Sequence, residues 1–544
     1  MRQVAASNEV DDAPEAKLDP GARGGGAHIR SGILLSAIQI LGFLLTIGQE
    51  IFIAHLFGAR QQMDGYLAAW VVPTMLATIV ASALQNAVIP HFAQRRAGPG
   101  LQSAWELASE ALGGSIVLFL AISVLCLGAA RWVIAFTTAG ASSGSVSTAL
   151  SVYPIGVAFA FVSLLSGLLG GLCAAVGRFV IPSLLSNVAT LLPVLFLWLG
   201  GKSLGILALP FGLLASAGLQ ALILAYLLGS LGLRLRFPRR ATLTELRPLA
   251  SDSAAVAMSL VPLALMGIGE RHVAAAGGEG AASHLFYAAK LVSAATSLLS
   301  TAMGVMGVPL LSAYLARGER ERFRRAFSLL FRLGCYLATA AIVGLEICGH
   351  PLVEALFQRG IFSSRDSDIV SDLLSWYAVG LLYAVVFPVL NGVIMSLRRS
   401  WALPFINGAG LLAYWVLALW APSRPDVAFG LAQAYGLAYT VILATATVYL
   451  AAKSLVDRTA VFKALGRSVL LVPMIAGPLW IVHRELARDE VPALPMTIAL
   501  AGAGAFTAAT AVALVDREVL ARILAAVGLR GLSEIVRPGG DVAT

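Results

Sequence analysis

Charge is scarce in this chain. Only 12 % of its 544 residues are Asp, Glu, Lys or Arg, about half the ~25 % of an ordinary soluble domain. Cysteine is scarce too. Cys126, Cys173, Cys335 and Cys348 all lie in apolar runs, where they read as small packing residues rather than a disulfide framework or a metal site. No Walker A loop, zinc-ligand spacing or nucleophile elbow is present, which excludes the common signatures of nucleotide-driven and hydrolytic chemistry. No sizeable extramembrane loop carries an acidic motif, so a membrane glycosyltransferase gains no support. The seven histidines are scattered. A charged-then-apolar leader with a small-residue cleavage site is also missing. The first apolar run, 33–57, is too long for a cleaved signal peptide.

What the chain does have is apolar length. It is 58 % hydrophobic and holds 54 glycines, a residue that transmembrane packing faces tolerate. Runs of about 20 or more apolar residues occur at 33–57, 65–90, 107–135, 149–175, 179–201, 204–232, 249–275, 283–312, 326–357, 368–397, 401–421, 427–452, 465–483 and 493–515. The fold class expected is therefore an all-α polytopic membrane protein with fourteen transmembrane helices.

The net charge of +9 does not point to nucleic acid, because the basic residues sit in short loops between runs. With the N-terminus cytoplasmic, the inner loops hold Arg95, Arg96, Arg178, the clusters Arg234 to Arg247 and Arg317 to Arg325, Arg398, Arg399, and Lys453 to Arg467. The outer loops hold Arg60, Lys202, Arg359, Arg365, Arg424, Arg484 and Arg488. That alternation fits the positive-inside rule and predicts two cytoplasmic ends. Residues 1–31 read as a disordered cytoplasmic tail, and 516–544 as a second tail. Residues 517–532 read equally as a surface amphipathic helix or as solvated chain.

Charge inside such runs is costly and commonly functional. The stretch Glu270-Arg271-His272 to Tyr287-Ala288-Ala289-Lys290 concentrates it. Glu270 reads either as a substrate- or ion-facing carboxylate or as half of a structural pair with Arg271 or Lys290. In the first two runs, Gln39, Gln49, Glu50, His55, Asp64, Gln85 and Asn86 are the polar groups. Asp64 opens a run and reads first as a helix cap. Glu50 is the better cavity residue, with a bond to Gln85 or Gln49 as its plain alternative.

A repeat runs through the chain. Tyr66, Ala68-Ala69 and Pro90 recur about 220 residues later as Tyr287, Ala288-Ala289 and Pro309. Tyr153, Gly156, Pro182 and Asn187 recur as Tyr377, Gly380, Pro404 and Asn407. Residues 33–232 (N-lobe, helices 1–6) and 249–452 (C-lobe, helices 7–12) are then two six-helix lobes of like orientation related by a pseudo-two-fold. Helices 13–14, at 465–515, follow them. Internal repeats of this kind mark transporters with a substrate path between lobes.

At these residues the chain resembles the MurJ/MviN lipid II flippase family, within the wider superfamily of multidrug, oligosaccharidyl-lipid and polysaccharide exporters. Phe57-Gly58-Ala59, Asp64-Gly65-Tyr66, Pro73 and Pro90 look like its first hairpin. Tyr287-Ala288-Ala289-Lys290-Leu291, Gly304 and Pro309 look like its eighth span. Leu356-Phe357-Gln358-Arg359-Gly360-Ile361-Phe362, with Asp366 and Tyr377, is the most specific match. The resemblance implies a two-lobed bundle in the bacterial inner membrane, with a head-group cavity between spans 1, 2, 7 and 8. It implies a lipid-tail groove at spans 13 and 14. Lys290 and Glu270 match basic and acidic positions of the family. Two departures stand out: Gln49-Glu50 replaces a typical Arg-Asp, and Ala77-Thr78 replaces an arginine pair.

The function implied is translocation of an undecaprenyl-diphosphate-linked sugar by alternating access, with no catalytic chemistry. Lys290 and Arg271 would draw the diphosphate. Glu50, Gln49, Asp64, Gln85 and Asn86 complete the substrate set, and Glu270 with Asn407 forms the ion-coupling set. No cofactor is expected beyond sodium, proton or membrane-potential coupling. The expected partners are the lipid-linked sugar diphosphate, membrane lipids and cell-envelope synthesis proteins. An exopolysaccharide-repeat flippase and a non-transporting scaffold of the same fold are the alternatives.

Overall fold

The computed structural model describes residues 25–178, 180–236, 240–397, 399–420, 426–453, 456–516 and 519. The tail readings over 1–24 and 520–544, the amphipathic-helix reading and Arg424 lie outside these residues. Helix begins at Gly25, inside the stretch read as tail.

Each of the fourteen apolar runs is helical. They appear as α1 (Gly25–Phe57), α2 (Gln61–Ala97), α3 (Leu101–Gly128) with α4 (Ala130–Thr137), α5 (Ser143–Ala175), α6 (Val180–Ala189) with α7 (Leu191–Leu204), and α8 (Ala208–Gly229). The second half holds α9 (Arg240–Ala275), α10 (Ala281–Ala316), α11 (Arg320–Phe357), α12 (Ser364–Val379) with α13 (Leu381–Ser396), α14 (Ala402–Ala418) and α15 (Val427–Ala452). The chain then forms α16 (Arg458–Arg488) and α17 (Ala493–Val515). Hydrocarbon offers no water to an unpaired amide, so a spanning segment satisfies its backbone as helix. Three runs divide, at Ala129, Thr190 and Gly380, which hydropathy alone does not reveal.

Among the described residues, ten helical runs are long and apolar enough to cross a membrane, and Leu41–Phe57 and Ala402–Ala418 are shorter apolar helices. Large apolar side chains such as Leu125, Tyr226, Phe405, Phe462 and Phe506 are more than 70 % exposed. That surface is what a lipid-facing belt requires.

Packing follows the same plan in both halves. In the first, α2 lies on α3 and α5, α5 on α8, α7 on α8, and α1 on α6 and α7. In the second, α10 lies on α11, α12 and α13, α15 on α12, α13 and α14, and α9 on α14. The halves meet chiefly along α2 and α9. The closing pair, α16 and α17, packs on α11. Gly65 shows how tight this is: a Cβ there would run into the Ser145 carbonyl of α5.

Candidate functional site

The site is built where α1, α9 and α11 end and α2, α10 and α12 begin. Its core is aromatic. Tyr287 of α10 has its ring 5.2 Å from Phe357 and 5.3 Å from Phe362, the two phenylalanines of the Leu356–Phe362 element. Its hydroxyl donates to the Gly58 carbonyl of the first half at 3.1 Å. Gly360 allows the approach. It adopts φ +63°, and any Cβ there would strike the His55 carbonyl. The adjacent Ile361 amide donates to that same His55 carbonyl at 3.2 Å.

Asp64 is a cap, but of a different helix from the one its position implies. α2 starts after Arg60, whose side chain caps nothing. The Asp64 carboxylate instead crosses to the other half. It accepts from Gly280 N at 2.7 Å, Ser283 N at 2.9 Å and Ser283 Oγ at 2.6 Å. These are donors at the start of α10, where an anion satisfies free amides and meets the positive end of the helix dipole. With three donors on its two oxygens, the Asp64 carboxylate is engaged by the start of α10.

Further bonds join the halves beside it. Arg60 reaches Asp366 at 3.5 Å and Gln61 donates to Glu279 at 3.3 Å. His272 stacks on Phe136 with ring centres 4.2 Å apart. Asp366 also takes His284 Nε2 at 2.8 Å while closing a capping box with Ser363. No local sequence signal marks His284 and Arg60 for this role, because their partners lie 82 and 306 residues away.

Deeper in the bundle, Lys290 of α10 donates to Glu50 of α1 at 2.7 Å. The Glu50 side chain is 8 % exposed and that of Lys290 40 %. The ammonium also stands 5.0 Å above the Phe286 ring, a favourable cation–π position. The other Glu50 oxygen, Oε2, is buried with no hydrogen-bond partner. Glu50 therefore bonds to neither Gln85 nor Gln49. Gln49 is buried. Gln85 leans on α5 at Gly167, and exposed Asn86 donates to the Ser82 carbonyl of its own helix at 2.8 Å.

Glu270 pairs with Arg271 at 3.3 Å and accepts from the Tyr377 hydroxyl at 2.6 Å. Arg271 in turn donates to the Ala282 carbonyl at 2.7 Å. A cavity of about 300 Å³ lies alongside, with Asp64 and Arg271 both in its lining. Asn407 does not join Glu270. Its amide donates to the Ser259 carbonyl at 2.7 Å and accepts from Tyr383 at 3.4 Å. Ser259 stands eleven residues before Glu270 on α9, roughly 16 Å along the axis at 1.5 Å per residue. Glu270 and Asn407 thus stand in two separate contacts and are not brought together. Among the described residues, no group of three or more His, Cys, Asp or Glu side chains is placed to hold a metal ion.

The fold is shared with solved transporters. One is a lipid II flippase MurJ in an inward closed conformation, with TM-score 0.69 and 16 % identity, covering 86 % of this chain and 98 % of that one. Another is an inward-facing multidrug resistance MATE family transporter of the MOP superfamily, with TM-score 0.62 and 16 % identity over 77 % of this chain and 98 % of that one. Fold and apolar helix length together define the class, a multi-pass helical membrane protein. The family model described as lipid II flippase MurJ matches residues 53–494. The chain belongs to the MurJ family. It is similar to the lipid II flippase MurJ of Burkholderia cenocepacia, 26 % identical over 66 % of this chain and 72 % of the relative. It is similar also to the probable lipid II flippase MurJ of Bdellovibrio bacteriovorus, 25 % identical over 68 % of this chain and 72 % of the relative.

Proposed function

We propose that this protein flips lipid II, an undecaprenyl-diphosphate-linked sugar, across the bacterial inner membrane by alternating access. It crosses the bilayer fourteen times with both ends cytoplasmic, as the loop charges support. Residues 33–232 and 249–452 act as two lobes, a reading supported by the matching helix neighbours in each half. In this orientation the Asp64 and Tyr287 contacts lie at the outer end and hold the two halves together there. The groove for the lipid tail is assigned to α16 and α17.

The observation that carries the mechanism is the Lys290–Glu50 bond between α1 and α10. Lys290 is the cation best placed for a diphosphate, yet Glu50 holds it. An incoming diphosphate, with up to about two negative charges, displaces one carboxylate by stronger attraction in a poorly hydrated cleft. Arg271 is held in the same manner by Glu270. Binding thus exchanges an internal anion for a substrate anion, and release on the far side restores the pair. Coupling to a sodium or proton gradient, or to the membrane potential, is assigned to the carboxylates Glu50 and Glu270. Glu270→Gln then alters the ion dependence of transport at unchanged protein abundance.

Complementation of a strain depleted of its lipid II flippase tests the substrate. Growth restored by the wild type and lost with Lys290→Ala is the expected result. Because Gln49-Glu50 and Ala77-Thr78 stand where the family resemblance expects arginines, an exopolysaccharide-repeat lipid is the second reading. Failure to complement, with flipping of such a lipid in proteoliposomes, would establish it.

A further inference from the structure

A second cavity, of about 1140 Å³, lies at the other end of the bundle, away from the Asp64 contacts, between α10, α11, α15 and α16. We propose that it binds the headgroup of an anionic glycerophospholipid. Its rim carries five arginines, Arg322, Arg324, Arg325, Arg332 and Arg458, against two carboxylates, Glu321 and Asp457. Both carboxylates are engaged. Glu321 holds Arg324 at 3.1 Å, and Asp457 caps α16 through the Thr459 amide at 2.9 Å. Among the described residues, Arg325 and Arg458 have no carboxylate partner.

Position adds to the charge. The N-terminus of α11 opens beside the cavity, and its N-cap residue, Glu319, makes no side-chain cap, so its amides favour an anion. Arg332 is fixed in the wall, 2.8 Å from Asp516 and 18 % exposed. Asp516 also takes Arg467 at 2.9 Å and the Tyr336 hydroxyl at 3.1 Å. With Arg322 on Glu319 at 2.8 Å, three of the five arginines are held by carboxylates, and among the described residues Arg325 and Arg458 are not.

The chemistry of the remaining wall selects a lipid over a soluble anion. Leu310, Tyr314, Leu329 and Val456 line it. Leu310 is 41 % exposed, and Phe462, one turn into α16 from Arg458, is 74 % exposed. An apolar wall thus runs out of a basic pocket onto the surface that faces the acyl chains. A phosphodiester at the arginines would place its glycerol and tails along that wall. Basic pockets between spans on the cytoplasmic side recognise anionic headgroups in this way. The cytoplasmic placement follows the loop-charge orientation proposed above, whereas the experiment below reads the site itself and needs no flipping.

The full chain would be purified with phosphatidylglycerol and phosphatidylcholine in equal amounts, and the lipid retained through delipidation counted by native mass spectrometry. The wild type should keep phosphatidylglycerol selectively. The triple variant Arg322→Gln, Arg325→Gln, Arg458→Gln should hold it roughly a hundredfold more weakly, at about fivefold per headgroup-facing charge. The triple Arg→Lys variant keeps the charge and should keep most retention, which separates a lost site from a misfolded protein. Arg484→Gln, at the opposite end, should change nothing. Equal retention by the Gln and wild-type proteins would overturn the site. Displacement of the lipid by inorganic phosphate would overturn its lipid specificity.

Discussion

The Glu50–Lys290 pair sets up a double-mutant cycle whose outcome differs for stability and for transport. At 2.7 Å and an effective dielectric of about 20, two unit charges attract by roughly 6 kcal/mol. Desolvation of Glu50 removes much of that, and Lys290 is 40 % exposed to screening. A charged hydrogen bond of about 2 kcal/mol is the net expectation. Lys290→Ala strands a buried carboxylate whose second oxygen already lacks a partner, so it should cost about 2–3 kcal/mol. Glu50→Gln removes the anion and should cost less. The double variant should recover most of the loss, giving a coupling of about 2 kcal/mol. Apparent Tm in detergent reads this half of the cycle.

Transport should not follow stability. Lys290→Ala removes the diphosphate's cation and should abolish flipping in proteoliposomes, while Lys290→Arg keeps partial activity because the charge survives in a different shape. Glu50→Gln frees Lys290 from a contact of about 2 kcal/mol, so substrate should bind up to about thirtyfold more tightly. Turnover should then slow, because the restoring anion is gone. Stability losses that simply add, within about 0.5 kcal/mol, would refute an energetic pair. Loss of substrate binding in Glu50→Gln would refute the exchange mechanism.

Other contacts give equally direct expectations. Asp64→Ala leaves two α10 amides and the Ser283 hydroxyl without their acceptor and should weaken outer-end closure by about 2 kcal/mol, read as faster cysteine labelling from outside the cell. Gly360→Val drives a branched side chain into the His55 carbonyl at positive φ and should hold the same end open, read as loss of a disulfide engineered across it. Asp516→Ala leaves Arg332 and Arg467 facing each other and should lower stability by about 3 kcal/mol, with Asp516→Glu retaining part of it. Labelling at Ser142 but not Arg322 in intact cells would match fourteen crossings; the reverse would refute the orientation.

The helices were legible because a bilayer-length apolar run has few other ways to satisfy its backbone. The breaks at Ala129, Thr190 and Gly380 were not, since nothing in hydropathy marks a turn inside an apolar run. The site was legible in composition and misread in pairing. Glu270 with Arg271 was one of two readings for adjacent charges. Glu50 with Lys290 is not legible locally, because the partners are 240 positions apart and only tertiary packing selects them. Asp64 carries the mark of a cap in its place at a helix start. Local sequence pointed to α2, while the open donors belonged to α10. Asp516 looked like the first residue of a tail, yet it is 4 % exposed and holds two arginines.

The Asp64 contact also bears on how the protein is made. Its donors at Gly280 and Ser283 lie 216 and 219 residues downstream, so α2 enters the membrane long before the helix it caps has been synthesised. When α10 follows, its first amides stay unsatisfied until the two halves dock. The interlobe seal is therefore also an assembly step. Halves produced as separate polypeptides should each be poor substrates for insertion and long life, and should protect one another from proteolysis when made together.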